Sequence, residues 1–154
     1  MNTNRSTPTN SSNKTNSGSR SIGRLIMQLR RLERQPLPFG DAGTLTPSEI
    51  HTIEAIGMEG GVLMSELASR LGVTKGAITQ LVARLQAKNL IHRAQHPSDS
   101  RGSLISLTRK GQEALTAHEE MHLRFYDQLR AQLSEQEIEI FERCVDKFAD
   151  FLEK

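Results

Sequence analysis

Apolar residues recur at helical spacing in four stretches of the chain and at alternate positions in one short region. Ile22, Leu25, Ile26, Leu29 and Leu32 lie three or four apart and predict an amphipathic helix over 19–35. Upstream, residues 1–18 are almost all Asn, Thr, Ser, Gly and Pro, with no hydrophobic side chain after Met1, and are expected to be a disordered tail. Residues 36–43 hold two prolines and two glycines and read as a loop. Thr46-Pro47-Ser48-Glu49 combines a Thr cap, a first-turn Pro and a Glu three residues on, which opens a helix to about Met58, stopped by Gly60-Gly61. A short helix over 64–71 closes at Gly72, and Thr74 caps a second, through Ile78, Leu81, Val82 and Leu85 to about Lys88. Two helices around so short a turn form a helix-turn-helix. Strand-like runs at 90–94 and 103–107 flank a polar stretch and predict a hairpin. Thr108 then caps a helix to about Leu133, and Ser134 with Glu137 forms the capping box of a last helix.

The fold class expected is mainly α: a winged helix-turn-helix with a two-stranded wing and a helical dimerisation region. The division expected is a tail at 1–18, a winged helix-turn-helix domain at 46–107, and a helical region made of 19–45 and 108–154. A final helix pair this long cannot bury its apolar stripe on so small a winged domain. Leu115, Met121, Phe125, Leu129 and Leu133, with Ile138, Phe141, Val145, Phe148 and Leu152, supply surface for a core shared by a homodimer.

Composition excludes several classes. With 154 residues, 36% hydrophobic and 25% charged, the chain suits one globular domain. Cys144 is the only cysteine, so there is no intrachain disulfide; it reads as a buried structural thiol in a reducing compartment. No apolar run reaches membrane-span length and no signal peptide is evident, so a cytoplasmic protein without membrane association is expected. Aromatics are 4% with no Trp, which leaves little for stacking on single-stranded nucleic acid. Charge matters only once it is divided along the chain: residues 62–111 carry +6 and residues 112–154 carry −6. Such polarity suits a polyanion bound by one region.

The outer face of the helix capped by Thr74 is small and polar: Gly76, Thr79, Gln80, Ala83 and Ala87, with Lys75 at its start and Arg84 on a flank. Small residues let a helix lie deep in the major groove, where Thr and Gln can bond base edges and Lys or Arg can reach phosphate or guanine. In the hairpin, Arg101 can enter the minor groove, and Asp99 is suited to orienting an arginine rather than facing phosphate. The DNA-contact set is therefore Thr74, Lys75, Gly76, Thr79, Gln80, Arg84, Asp99 and Arg101, and the partner is double-stranded DNA.

Met64-Ser65-Glu66-Leu67-Ala68-Ser69-Arg70-Leu71-Gly72-Val73-Thr74, then Ile78-Thr79, Leu85, Asn89-Leu90-Ile91, Asp99-x-Arg101 and Leu107-Thr108-x-x-Gly111, resembles the MarR family of winged-helix transcription regulators over about residues 20–153. The resemblance implies an obligate homodimer in which 19–45 and 108–154 form the dimerisation region and the two DNA-binding domains at 46–107 read a palindrome, and a dimeric repressor is the function expected. The wing departs from the family's frequent consecutive arginines with Ser100-Arg101-Gly102.

Three histidines stand apart. His118 and His122 lie four apart within the stripe of Ala114, Met121, Phe125 and Leu129, a spacing that lets both rings reach one metal ion or one polar ligand group. His51 flanks the core face of the helix opened by Thr46. Glu33, Asp41, Glu54, Glu119 and Glu120 are the candidate oxygen donors. These histidines are similar to ones in both the zinc-responsive regulators and the fatty-acid-synthesis repressors of the family. Three readings stand: a metal site, with zinc as the ion; a histidine network beside an acyl or other organic ligand; or packing. His118-Glu119-Glu120-Met121-His122 also matches H-E-x-x-H. A zinc-dependent hydrolase would need a third ligand and a cleft, whereas this helix presents both rings to an apolar stripe, so an enzyme is not expected. A winged-helix module binding other proteins is the remaining alternative, and it predicts no salt-dependent DNA binding.

Overall fold

The chain is described by a computed structural model covering residues 11–98 and 102–152. Asp99 and Arg101 lie outside the described residues, as do residues 1–10.

Helix α1 (Ser11–Leu32) begins inside the stretch expected to be disordered. Once the apolar turns after Ser19 are helical, each further residue adds a backbone hydrogen bond at little cost, so the helix extends upstream. The expected loop is instead a closed unit. Strand β1 (Leu37–Pro38) pairs antiparallel with β2 (Thr44–Leu45) around a 3-10 turn, Gly40–Ala42. Phe39, Ala42 and Leu45 are buried in the core, and that apolar burial outweighs the breaker signal of the prolines and glycines.

Helix α2 (Pro47–Ile56) carries the full capping box: Glu49 N donates to Thr46 Oγ1 at 3.3 Å and Thr46 N donates to Glu49 Oε2 at 2.9 Å. It stops at Gly57, earlier than expected, because that residue adopts φ +73°, a left-handed conformation open to glycine. Strand β3 (Val62–Leu63), α3 (Met64–Arg70) and α4 (Lys75–Ala87) follow. Arg70 Nη1 donates to Ala55 O at 2.7 Å, tying α3 to the end of α2. Strands β4 (Ile91–Gln95) and β5 (Ser103–Leu107) form the two-stranded wing, with Ile91 opposite Leu107 and Gln95 opposite Ser103. β3 adds a third, antiparallel strand on β5, with Val62 opposite Ile105.

One core joins these elements, from Phe39 through Ile53, Leu67, Val82, Leu85, Leu90 and Ile105 to Ala114 and Leu115. Helix α5 (Arg109–Arg130) is seated on it by a close approach: a Cβ at Gly111 would collide with the Leu90 carbonyl oxygen. Thr108 completes the joint, its Oγ1 donating to Asn89 O at 2.7 Å and accepting from Gly111 N at 3.2 Å.

The outer half of α5 and helix α6 (Glu135–Leu152) leave this core behind. Ile138 is the buried residue of α6, while Phe141, Val145, Phe148, Phe151 and Leu152 are exposed, together with Leu123 and Phe125 of α5 and Ile22, Leu25, Ile26, Leu29 and Leu32 of α1. Cys144, expected to be buried, is exposed on the same helix, because within one chain α6 has nothing over most of its length. Among the described residues no helix is long and apolar enough to cross a membrane.

Candidate nucleic-acid interface and candidate ligand site

Helix α4 buries Ile78, Leu81, Val82 and Leu85 and turns Gly76, Thr79, Gln80, Ala83, Arg84 and Ala87 outward, as its spacing predicts. Thr74 is its cap, accepting from Ala77 N at 3.2 Å, so this hydroxyl is engaged by the helix itself. Thr79 Oγ1 donates to Lys75 O at 2.7 Å, which leaves its oxygen lone pairs and methyl group facing out. A groove of about 540 Å³ runs between α3, α4 and the wing, lined by Met64, Ser65, Ala68, Lys75, Thr79, Arg93, Gly102 and Ser103. Among the described residues its charged side chains are Lys75 and Arg93, with no carboxylate in the lining. Arg93 Nη2 donates to Ser103 Oγ at 3.3 Å across the wing. Sequence reading missed Arg93, Ser65 and Ser103. The only signal was that Arg93 sits two residues after the buried Ile91, on the same side of a strand too short to fix its face.

A second site lies where α1, the β1–β2 hairpin, α2 and α5 meet. His118 is buried, and neither ring nitrogen finds a hydrogen-bond partner. His51 and His122, both exposed, face it: the His122 ring centre is 4.3 Å from that of His118, and the His51 ring centre 6.0 Å. Glu54 joins them, with Oε2 3.3 Å from His51 Nδ1 and 3.6 Å from His118 Nε2. Donor atoms of His51, Glu54 and His118 lie within 4.8 Å of one another. Burial pushes the His118 imidazole below its ordinary range, helped by the neighbouring His122 and His51 and opposed by the Glu54 carboxylate. The imidazole is therefore neutral at physiological pH, the form a metal ion requires. Of the other candidate oxygen donors, Glu33 lines the adjoining pocket with His51, His118 and His122, while Asp41, Glu119 and Glu120 do not. That pocket, about 250 Å³, is otherwise walled by Gln35 and by apolar side chains including Leu29, Phe39, Leu45, Ile50 and Met121.

A winged helix-turn-helix with an open, polar recognition-helix face and a basic groove defines a transcription regulator. Residues 44–102 match the profile of the MarR family. The HTH-type transcriptional regulator YxaD of Bacillus subtilis is 32% identical over 99 residues, 64% of this chain and 69% of that protein. The repressor MdtR of the same organism is 31% identical over 82 residues, 53% of each. Among solved structures, FabT of Streptococcus pneumoniae, in complex with DNA, superposes with a TM-score of 0.72 at 26% identity, over 92% of this chain and 96% of that one. The zinc-responsive ZitR of Lactococcus lactis shares the fold, with a TM-score of 0.67 at 20% identity over 90% and 98%. The chain belongs to the MarR family of transcription regulators. It is a regulator and not an enzyme, so the H-E-x-x-H match at His118–His122 is no hydrolase motif.

Proposed function

We propose that this protein is a homodimeric, sequence-specific repressor that binds double-stranded DNA through α4 and the wing and responds to an ion or small ligand at the histidine site. The observation that carries the DNA reading is the basic groove leading onto the outward face of α4. Lys75, Gly76, Thr79, Gln80 and Arg84 are the contacts on this helix and Thr74 fixes its start; Arg101, oriented by Asp99, supplies the minor-groove contact, and Arg93 adds phosphate affinity at the base of the wing. Residues 46–107 act as the reading domain and 19–45 with 108–154 as the pairing region. The exposed apolar faces of α1, α5 and α6 support that pairing. Two-fold pairing calls for a pseudo-palindromic operator with half-sites about one helical turn apart.

His51, Glu54 and His118, with His122 beside them, offer imidazole nitrogen and carboxylate oxygen, a donor set suited to zinc, and the unpartnered nitrogens of His118 give it a reason to sit buried. Zinc would supply a fixed charge linking α2 to α5. The apolar walls of the adjoining pocket favour the second reading, an acyl-type ligand with its polar end at the histidines. Either occupant acts only through different affinities for the DNA-competent and incompetent dimers.

The test is to select a duplex from a random pool with the full-length protein and measure its affinity across salt, zinc, chelator and fatty-acid titrations, for wild type and His118→Ala. Arg101→Ala should lower affinity and flatten the salt dependence by about one unit per site. Wild-type selection of no sequence overturns the DNA reading. A wild-type affinity indifferent to both ligands, matched by His118→Ala, overturns the ligand reading alone.

A further inference from the structure

Glu49 is 2% exposed although it is charged at neutral pH, and its capping role does not explain the partner it has. Lys88 Nζ donates to Glu49 Oε2 at 2.8 Å and to Thr44 O at 3.4 Å. Burial raises the Glu49 carboxyl, but the Lys88 bond and the Thr46 amide outweigh it and hold the group below its ordinary range. An ammonium at the first turn of a helix opposes the helix dipole, so Lys88 is poorly placed to stabilise α2 for its own sake. What it does is join two elements far apart in sequence. Lys88 is the residue immediately after α4, half-exposed, with its ammonium turned to the start of α2. Its carbonyl accepts from Lys110 Nζ at 3.4 Å, and Asn89 and Leu90 after it are held by Thr108. At the other end, Thr44 and Glu49 bracket the turn from β2 into α2, whose neighbours Leu45, Pro47 and Ile50 line the ligand pocket.

We propose that Lys88 is a positioning residue for DNA reading: held by Glu49 and Thr44, it fixes the end of the recognition helix to the pocket wall and so sets the angle at which α4 meets bases. This rests on the reading of α4 as the DNA-contacting helix. Glu49 is buried while the Lys88 side chain is 38% exposed, so the pair adds little net stability and its value here is the geometry it holds.

The test uses the full chain, the duplex selected by wild type from a random pool, and a scrambled duplex at the same salt. Lys88→Met, and the double variant Glu49→Gln/Lys88→Met that removes both charges together, should keep scrambled-duplex affinity while the ratio of selected to scrambled affinity falls about tenfold. Lys88→Arg should hold that ratio within about twofold. An unchanged ratio in either charge-removing variant, or an equal loss on both duplexes, overturns the proposal; so does failure of both variants to fold, which would make the pair a folding element. If wild type selects no duplex, the DNA reading falls and this proposal with it.

Discussion

Among the described residues a Cβ at position 76 would meet no atom within 4 Å beyond the neighbouring backbone of its own helix, and Gly76 is not in the left-handed region. Nothing inside the protein therefore asks for glycine in the first turn of α4, where it weakens the helix. Gly76→Ala should raise the unfolding free energy by about 0.5–1 kcal/mol in urea titrations while lowering affinity for the selected duplex, because the added methyl stands between backbone and DNA. Gain of stability without loss of affinity would remove Gly76 from the interface. His118 argues the other way round. A buried imidazole with both nitrogens unpartnered costs about 1–3 kcal/mol. His118→Leu should accordingly stabilise the protein and abolish its response to zinc or acyl ligand. The pH dependence has a definite sign: the folded imidazole titrates below 6.5, so the unfolded chain binds the extra proton first and wild-type stability falls as pH drops below about 6.5. Denaturation curves at pH 7.5 and 5.5 should show the Leu variant's advantage widening at the lower pH; an equal advantage at both would mean His118 is not the group involved.

At the scale of elements, the joint between α4, β4 and α5 leaves no room for a side chain at Gly111. Gly111→Ala would drive a methyl into the Leu90 carbonyl and should lower stability by about 1–3 kcal/mol, read as a shifted denaturation midpoint with an unchanged slope. The long elements were legible in the sequence because their signals are local: the capping boxes at Thr46 and Ser134, the caps at Thr74 and Thr108, and the stripe Ile78, Leu81, Val82, Leu85 all lie within one or two turns. Strands of two residues carry no period, so β1, β2 and β3 were invisible and the hairpin read as a loop. Glu49 announced its cap but not Lys88, 39 positions away, and nothing in the sequence could say which of five carboxylates would join the histidines. Glu54 does so because it lies one turn beyond His51 on α2, on the side that α5 covers.

For the whole molecule, the exposed flanks of α1, α5 and α6 are what the proposed pairing rests on. Leu25 is 56% exposed, Phe125 57% and Phe151 71%, values that a solvated helix pair would not sustain over three helices together. Phe148→Glu should convert a dimer at micromolar concentration into a monomer by sedimentation, and weaken affinity for the selected duplex at least tenfold because one reading head is lost. A dimer that survives this change would move the pairing surface elsewhere.

In the proposed dimer the pairing flanks and the reading helix belong to different stretches of chain, and this separation has a genetic consequence. A copy with its α4 face disabled but α1, α5 and α6 intact would still capture a normal copy, giving mixed pairs with one working head. In cells carrying both alleles the faulty one would be dominant, silencing more regulator than its own share of the pool, whereas a lesion such as Phe148→Glu, which prevents pairing, would be recessive.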